Sequence, residues 1–241
     1  MKRLLAFLLA SALSLTTGAY ADPAADQRPI NVRIELQVVA VPEAIAVPLA
    51  AEMMKKDKIE AAYVKIQELL AKGTAKLIGW PIVTTFSGQR AVSEAIHEVR
   101  FTTEYSPPTV NLTPNVPANA TIKIAPSVDV TAFAGIPAAF ETRNVGVTLE
   151  VEPSLSPDGK TINLNIVPQD VRLRGFNKVT MEMRGGGGKV VVEQPEFDVK
   201  KLTTSLTVRN GERVLLGVYP TDEPPKHIEF FILKAEAIPV E

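Results

Sequence analysis

The sequence predicts a mainly β protein built from antiparallel hairpins, with one long amphipathic helix. Three observations lead to this prediction. Many short segments alternate apolar and polar residues, turn-forming residues join several of these segments, and a single stretch spaces its apolar residues by three and four. Hydrophobic residues make up 46% of the 241 positions, so the chain is long and apolar enough to bury a core.

The first predicted elements are a strand and the helix. From Asn31 to Val39 the sequence is NVRIELQVV, in which every second residue is apolar, and this alternation is typical of a half-buried strand. Prolines interrupt the pattern between Val41 and Pro48. From about Ala50 to Ala71 the apolar residues recur at helical spacing, which predicts the amphipathic helix.

Two short strands and a proline-rich segment are predicted next. The strands lie in AKLIGWPIVTTFSGQRAVSEA, and we expect Gly88 to form the turn between them. Six prolines follow between residues 106 and 137. Because proline has no N–H to donate to a strand ladder, central strands are not expected there. This segment is predicted to be an insertion within one domain.

The second half contains three candidate hairpins and a final strand. VGVTLEVEP and TINLNIVP are joined by a turn at Asp158-Gly159, and KVTMEMR and KVVVEQ are joined by Gly185 to Gly188. KLTTSLTV and ERVLLGVY are joined by Asn210-Gly211, a pair that favours a type I′ turn with positive φ at both residues. The last predicted strand runs from His227 to Leu233.

The N-terminus predicts export across a bacterial-type inner membrane. Lys2 and Arg3 precede an apolar run that is too short to span a bilayer comfortably, and Ala19-Tyr20-Ala21 forms a cleavage site of the A-x-A type. Residues 1–21 are therefore predicted to be a signal peptide. The mature domain would comprise residues 22–241.

The composition argues against several classes of function. There is no cysteine, which excludes disulfides, thiolate metal sites and a cysteine nucleophile. The formal net charge of −1 and an aromatic content of 6% do not indicate a nucleic-acid partner. Neither His97 nor His227 belongs to a metal-binding motif, and no G-x-S-x-G string is present. We predict no catalytic site, no metal and no cofactor.

The order of segments resembles the secretin domain of type II and type III secretion systems and of type IV pilus machines. The similarity extends from about Val32 to Tyr219. Its most specific parts are the stretch Pro81 to Thr85 followed by Gly88, the run from Gly146 to Pro153 with its Asp158-Gly159 turn, and the closing segment through Asn210-Gly211 to Gly217. The closing segment departs from the family in having Gly217-Val218 where a double glycine is usual.

The resemblance implies a secretin-type β-barrel module. Its subunits would form a homo-oligomeric ring in the outer membrane, in contact with lipid and with components of a secretion machine. The proline-rich segment 106–137 would then occupy the position of the channel gate. Turns or close backbone approaches are expected at six residues, which are Gly88, Asp158, Gly159, Asn210, Gly211 and Gly217. The alternative is a secretin-derived periplasmic β-rich module that binds or scaffolds other molecules without forming a pore.

Overall fold

The structure is a computed structural model that describes residues 30–106, 136–182, 189–221 and 225–239. The predicted signal peptide, its predicted cleavage site at Ala19 and Ala21, and nearly all of the proline-rich segment lie outside these residues. Ten strands and two helices are described, in the order β1 (Ile30–Pro42), α1 (Glu43–Met53), α2 (Ile59–Ala71), β2 (Lys76–Gly79), β3 (Ile82–Phe86), β4 (Ala91–Ser106), β5 (Ile136–Leu155), β6 (Thr161–Glu182), β7 (Lys189–Lys201), β8 (Thr204–Arg209), β9 (Arg213–Pro220) and β10 (His227–Pro239).

The strands form two five-stranded sheets in which every described pair is antiparallel. The first, which we call the base sheet, has the order β2-β1-β10-β9, with β3 also pairing with β1. The second, which we call the hairpin sheet, has the order β4-β5-β6-β7, with β8 also pairing with β6. The predicted antiparallel, mainly β fold is confirmed. Neither sheet closes on itself within the described part of the chain.

The two sheets pack face to face, as the alternation in the sequence requires. In β1, Val32, Ile34, Leu36 and Val38 belong to one buried cluster with β5, β6 and β10, whereas Val39 and Val41 belong to a second cluster with the helices. A strand that is central in a sheet with both faces covered must be apolar on both sides. The molecule therefore has three layers, with the helices on the outside of the base sheet.

The single helix predicted from Ala50 to Ala71 is replaced by two helices. The chain leaves α1 at Met54 and enters α2 at Ile59. Residues 55–58, which follow Met54, are KKDK. None of them is apolar, so this segment has no side chain that would pack against the sheet. Both Leu49 of α1 and Ile66 of α2 lie in the same buried cluster, and the break between the helices allows each to place its apolar face there.

One of the three predicted hairpins is wrong in its pairing, and the strands on either side of the Gly88 turn do not pair with each other either. β3 pairs with β1 in the base sheet, while β4 pairs with β5 in the hairpin sheet. Likewise β8 pairs with β6 and β9 pairs with β10. The turns at Gly88 and at Asn210-Gly211 thus carry the chain from one sheet to the other. The pairings β5–β6 and β6–β7 agree with the other two of the three predicted hairpins.

Candidate assembly site

The predicted turn residues fall into two structural groups. Asp158 and Gly159 reverse the chain inside the hairpin sheet, where the Asp158 side chain accepts hydrogen bonds from the Ser156 hydroxyl (2.6 Å) and the Lys160 N–H (3.1 Å). These bonds hold the pKa of the Asp158 carboxyl below its ordinary value. Gly88 and Gly211 lie instead where the chain changes sheet.

Hydrogen bonds tie both sheet-changing turns to the neighbouring strands. The Gly88 N–H donates to the Pro153 carbonyl at 2.6 Å, and the Ser87 hydroxyl accepts from the Leu155 N–H at 2.9 Å. Both acceptor and donor lie at the end of β5, beside the β5–β6 turn. The first sheet-changing turn is therefore held at the closed end of the hairpin sheet.

Asn210 connects the second sheet-changing turn to both sheets. Its side-chain amide donates to the Gly159 carbonyl (3.1 Å), and its side-chain oxygen accepts from the Ala237 N–H of β10 (2.8 Å). Only Gly211 has a positive φ, of 80°. The predicted type I′ geometry, which needs positive φ at both residues, is therefore wrong, and Asn210 serves as a side-chain bridge instead.

Gly217 does not lie in a turn, contrary to the prediction. It is inside β9, opposite Phe231, next to a β-bulge at which Ile232 pairs with Leu215. A Cβ on Gly217 would lie 3.4 Å from the ring of Tyr219, and this ring meets Phe231 edge-on with centroids 5.1 Å apart. A Cβ at this distance would make an ordinary contact, so neither the backbone nor the space at this position requires glycine.

Two long hairpins extend from the sandwich. β5 and β6 run for 20 and 22 residues, well beyond the 3–10 residues usual for strands in globular proteins. They pair with each other only up to Gly146 and Val171. Past that point β5 pairs with β4, and β6 pairs with β7. We call the hairpin segments past Gly146 and Val171 the distal hairpins.

Gly146 marks the place where the two distal hairpins separate. Its φ is 135°, and an added Cβ would lie 2.1 Å from the Ala95 carbonyl oxygen of β4. Neither the conformation nor the space suits a side chain. The close approach of β4 and β5 at this point therefore requires glycine.

The distal hairpins leave strand edges and apolar side chains without partners among the described residues. No described strand pairs with the outer edge of β4 or of β7. Large apolar side chains are exposed there, including Phe140, Phe176, Val179 and Val191. The hairpins meet each other where Phe101 contacts Phe197 and where Arg143 lies 5.1 Å from the Phe197 ring centre. Open edges and exposed apolar residues are the features of a surface that binds another chain.

A buried cluster of charges lies where β5 and β6 separate. Glu229 of β10 is fully buried, and its carboxylate oxygens lie 2.7 Å from the Arg172 guanidinium and 2.8 Å from the Lys200 ammonium. Arg172 also pairs with Asp170, which is buried. Burial raises the pKa of the Asp170 carboxyl, although the hydrogen bond from Arg172 opposes this effect. We call these four residues the charged junction.

The charged junction was not found by sequence reasoning. Asp170 and Arg172 are two residues apart on β6, and alternation alone places them on one face of the strand. Their partner Glu229 is 57 residues further along the chain, between Ile228 and Phe230. The one available signal was a glutamate at a position of β10 whose alternation with Phe231, Leu233 and Ala235 predicts an apolar residue.

The remaining chemistry-bearing residues do not converge. Within the described ranges, no three His, Cys, Asp or Glu residues are placed to hold a metal ion. His97 lies on β4 and His227 begins β10. None of the described helices has the length and apolarity needed to cross a bilayer.

Comparison with known proteins identifies the class. The family model described as "Secretin: Bacterial type II and III secretion system protein" matches residues 69–223, which is more than half of the chain. The chain therefore belongs to the secretin family, as the sequence predicted. Members of this family are channel or structural proteins and not enzymes. No curated protein matches the chain.

The comparison with solved structures also matches the chain to secretins. The Salmonella SPI-1 type III injectisome secretin InvG shares 12% identity over 89% of this chain and 65% of its own, with a TM-score of 0.40. The type II secretin GspD of enteropathogenic Escherichia coli shares 12% identity over 88% of this chain and 70% of its own, with a TM-score of 0.42. The competence pilus secretin PilQ of V. cholerae shares 12% identity over 88% of this chain and 59% of its own, with a TM-score of 0.38. The chain thus spans less than two thirds of InvG and PilQ.

Proposed function

We propose that the chain is a secretin-like subunit of a multimeric outer-membrane channel for protein secretion or export. The observation that carries this proposal is the pair of distal hairpins with open outer edges and exposed apolar side chains. A strand edge that is unpaired in one subunit can pair with the next subunit, and a closed ring leaves no free edge. The same contact repeated around an axis closes into a ring of identical subunits.

In this proposal the parts of the chain have separate roles. The base sheet and the helices form the folded body of each subunit, and the distal hairpins provide the barrel wall, whose exposed apolar residues contact lipid or neighbouring subunits. The turns at Gly88, Asp158-Gly159 and Asn210-Gly211 fix the hairpin sheet on the base sheet. The proline-rich segment 106–137 connects β4 to β5 at the end of a distal hairpin, which is a position suited to a gate.

A second candidate is a periplasmic module that binds or scaffolds other molecules without forming a pore. The observation in its favour is that the sandwich has a complete core of its own, because residues of β1, β5, β6 and β10 are fully buried without any partner chain. Such a body does not need a ring in order to fold. Docking to components of a secretion machine is compatible with either candidate.

The experiment that separates the two candidates uses the full-length chain expressed with its N-terminal segment in a Gram-negative host. Membranes are separated by density, and detergent extracts are compared on gels with and without heating. We expect an outer-membrane species of high mass that dissociates only after harsh treatment. A species of monomer size released by osmotic shock would contradict the channel and support the periplasmic module.

A matched pair of variants tests whether the distal hairpins make the contact. Val191→Asp places a charge on a half-exposed valine of β7, and Val64→Asp does the same on α2, where the valine is 55% exposed. We expect the first variant to lose the high-mass species and the second to keep it. Equal behaviour of the two would locate the assembly contact elsewhere.

The signal peptide is tested on the same material by mass spectrometry of the purified chain. Cleavage after Ala21 leaves Asp22 as the first residue. Replacing both Ala19 and Ala21 by large residues is expected to leave an uncleaved precursor. A mature chain that still begins at Met1 would contradict the predicted cleavage.

A further inference from the structure

The charged junction joins the two sheets at the start of a distal hairpin. Glu229 belongs to the base sheet, whereas Arg172 and Lys200 belong to β6 and β7 of one hairpin. Asp170, which directly precedes Val171 on β6, completes the cluster. The cluster contains two acidic and two basic groups, so its formal charges balance.

The junction lies at the end of the apolar core. In β10 the residues Phe231, Leu233 and Ala235 face the hairpin sheet and are buried, and Glu229 continues the same face of the strand. At this position an apolar residue would extend the core. A fully buried carboxylate instead needs cationic partners, and Glu229 forms two ion pairs of 2.7 and 2.8 Å, although neither contact has the geometry of a hydrogen bond.

The junction lies at the point on β6 where pairing with β5 ends. Val171 is the last residue of β6 that pairs with β5, and Arg172 follows it directly. Beyond this point no ladder to β5 fixes the direction of the β6–β7 hairpin, and a register irregularity follows between Leu173 and Gly175. The ion pairs of Arg172 and Lys200 with Glu229 are therefore the constraint that lies nearest to the point of separation.

Apolar contacts and ion pairs constrain a hairpin differently. Apolar packing has no preferred direction, whereas a forked guanidinium between two carboxylates has a defined geometry. Buried ion pairs contribute little net stability compared with apolar residues of similar size, but removing one partner leaves an uncompensated charge. A cluster of this kind is better suited to fixing an orientation than to adding cohesion.

We propose that the charged junction sets the direction in which the β6–β7 hairpin leaves the base sheet, with Glu229 as the positioning residue. The junction has this role whether or not the chain assembles into a channel. In a ring, the same direction would determine how the hairpin reaches its neighbour.

The test measures a distance between the hairpin and the body of the subunit. The chain has no cysteine, so Val64→Cys on α2 and Val191→Cys on β7 provide two unique and exposed sites for spin labels. Labelled chains are diluted with unlabelled chains, so that only distances within one chain are measured by pulsed electron paramagnetic resonance. In the otherwise unchanged protein we expect one narrow distance distribution.

Three substitutions in the labelled protein distinguish positioning from general stability. Glu229→Gln removes the buried charge while keeping the shape of the side chain, and we expect it to broaden or shift the distribution. Arg172→Lys keeps a positive charge but loses the fork between two carboxylates, and we expect an intermediate broadening. Leu164→Ala, in the buried core of β6, is the control that lowers the unfolding temperature without changing the distance.

The possible results are separable. An unchanged distribution in both Glu229→Gln and Arg172→Lys would overturn the proposal. A distribution that broadens equally in Leu164→Ala would also overturn it, because the effect would then reflect loss of stability alone. If Glu229→Gln does not fold, Arg172→Lys decides the question, since its side chain is already partly exposed.

Discussion

The two halves of the hairpin sheet use the same strands but bury different side chains. In the proximal half, which is the part between the β5–β6 turn and the pair Gly146–Val171, Leu149, Leu164 and Ile166 point into the sandwich and are fully buried. The opposite face is polar, with hydrogen bonds of 2.7 Å from Thr207 to Asn163 and from Ser205 to Asn165. In the distal half, Phe140, Phe176 and Val191 are exposed.

This comparison distinguishes the apolar faces and strand edges that are covered within one subunit from those that are not. The proximal half has an apolar face with a partner sheet and a polar face for water, so it is complete within one chain. The distal half has apolar residues in contact with solvent and strand edges that no described strand covers. We therefore expect substitutions in the proximal half to affect folding and those in the distal half to affect assembly.

The largest effect on folding is expected from Leu164→Ala in the proximal half. Leu164 is almost fully buried, and a leucine-to-alanine change in a packed core costs about 2–5 kcal/mol of unfolding free energy. Val191→Ala in the distal half is the matched control, with an expected cost below about 0.5 kcal/mol in dispersed subunits. Urea denaturation of the two variants measures the difference. Similar costs would contradict the division into two halves.

A smaller effect is expected at the boundary between the halves. Gly146→Ala would strain the backbone at a φ of 135° and bring the new Cβ against the Ala95 carbonyl oxygen. Backbone strain of this kind costs about 1–3 kcal/mol. Gly175→Ala on β6 is the control for the close contact, because Gly175 also has a positive φ, of 158°, but an added Cβ there has no neighbour within 4 Å. Thermal unfolding should place Gly146→Ala clearly below Gly175→Ala, and the reverse order would show that the boundary is not constrained.

The polar face of the proximal half should contribute less to the unfolding free energy. Thr207→Val removes the hydroxyl that donates to Asn163 while keeping the β-branched shape of the side chain. One hydrogen bond contributes about 0.5–1.5 kcal/mol, and an exposed one lies at the lower end of that range. Thr148→Val, on an outer face position of β5 for which no side-chain hydrogen bond is described, is the control for the change of hydroxyl to methyl. A larger loss in Thr148→Val would remove the role assigned to the Asn163–Thr207 contact.

The smallest effect is a dependence on pH that originates in the charged junction. Burial raises the pKa of Asp170 above its ordinary value of 3.8, so the folded chain binds a proton at this site more readily than the unfolded chain. The charged carboxyl therefore lowers stability above the raised pKa, and this cost is relieved as the pH falls toward 3.8. As the pH falls through that window, the unfolding free energy of the unchanged chain should rise relative to that of the Asp170→Asn variant. A shift in the opposite direction would mean that the ion pair with Arg172 outweighs burial.

The buried faces of the strands and one of the turns could be predicted from single segments of the sequence. Alternation in β1, β5, β6 and β10 follows from which side chains must be buried, and the Asp158-Gly159 turn follows from local chemistry. The choice of partner strand could not be predicted from single segments. The turn at Gly211 was predicted to close a hairpin and the turn at Gly88 to join two short strands, yet each of them joins strands of different sheets.

The helix shows the same limit. Helical spacing identified α2, but the spacing alone did not reveal that Pro48 lies inside α1 or that Met54 to Lys58 separates two helices. A helix forms where its apolar face finds a surface, and this surface is supplied by Val39, Val41 and Phe230 from distant parts of the chain.

The sequence by itself determined the fold class, the family and the apolar faces of the strands, because these depend on the order and spacing of residue types within short segments. Only the tertiary structure decided which strands pair, that Asn210 bridges the two sheets, and that Glu229 meets Arg172 and Lys200. The physical reason is that these contacts join residues far apart in the chain. Their energy depends on burial and on the distance between atoms, and neither quantity exists until the two sheets are packed together.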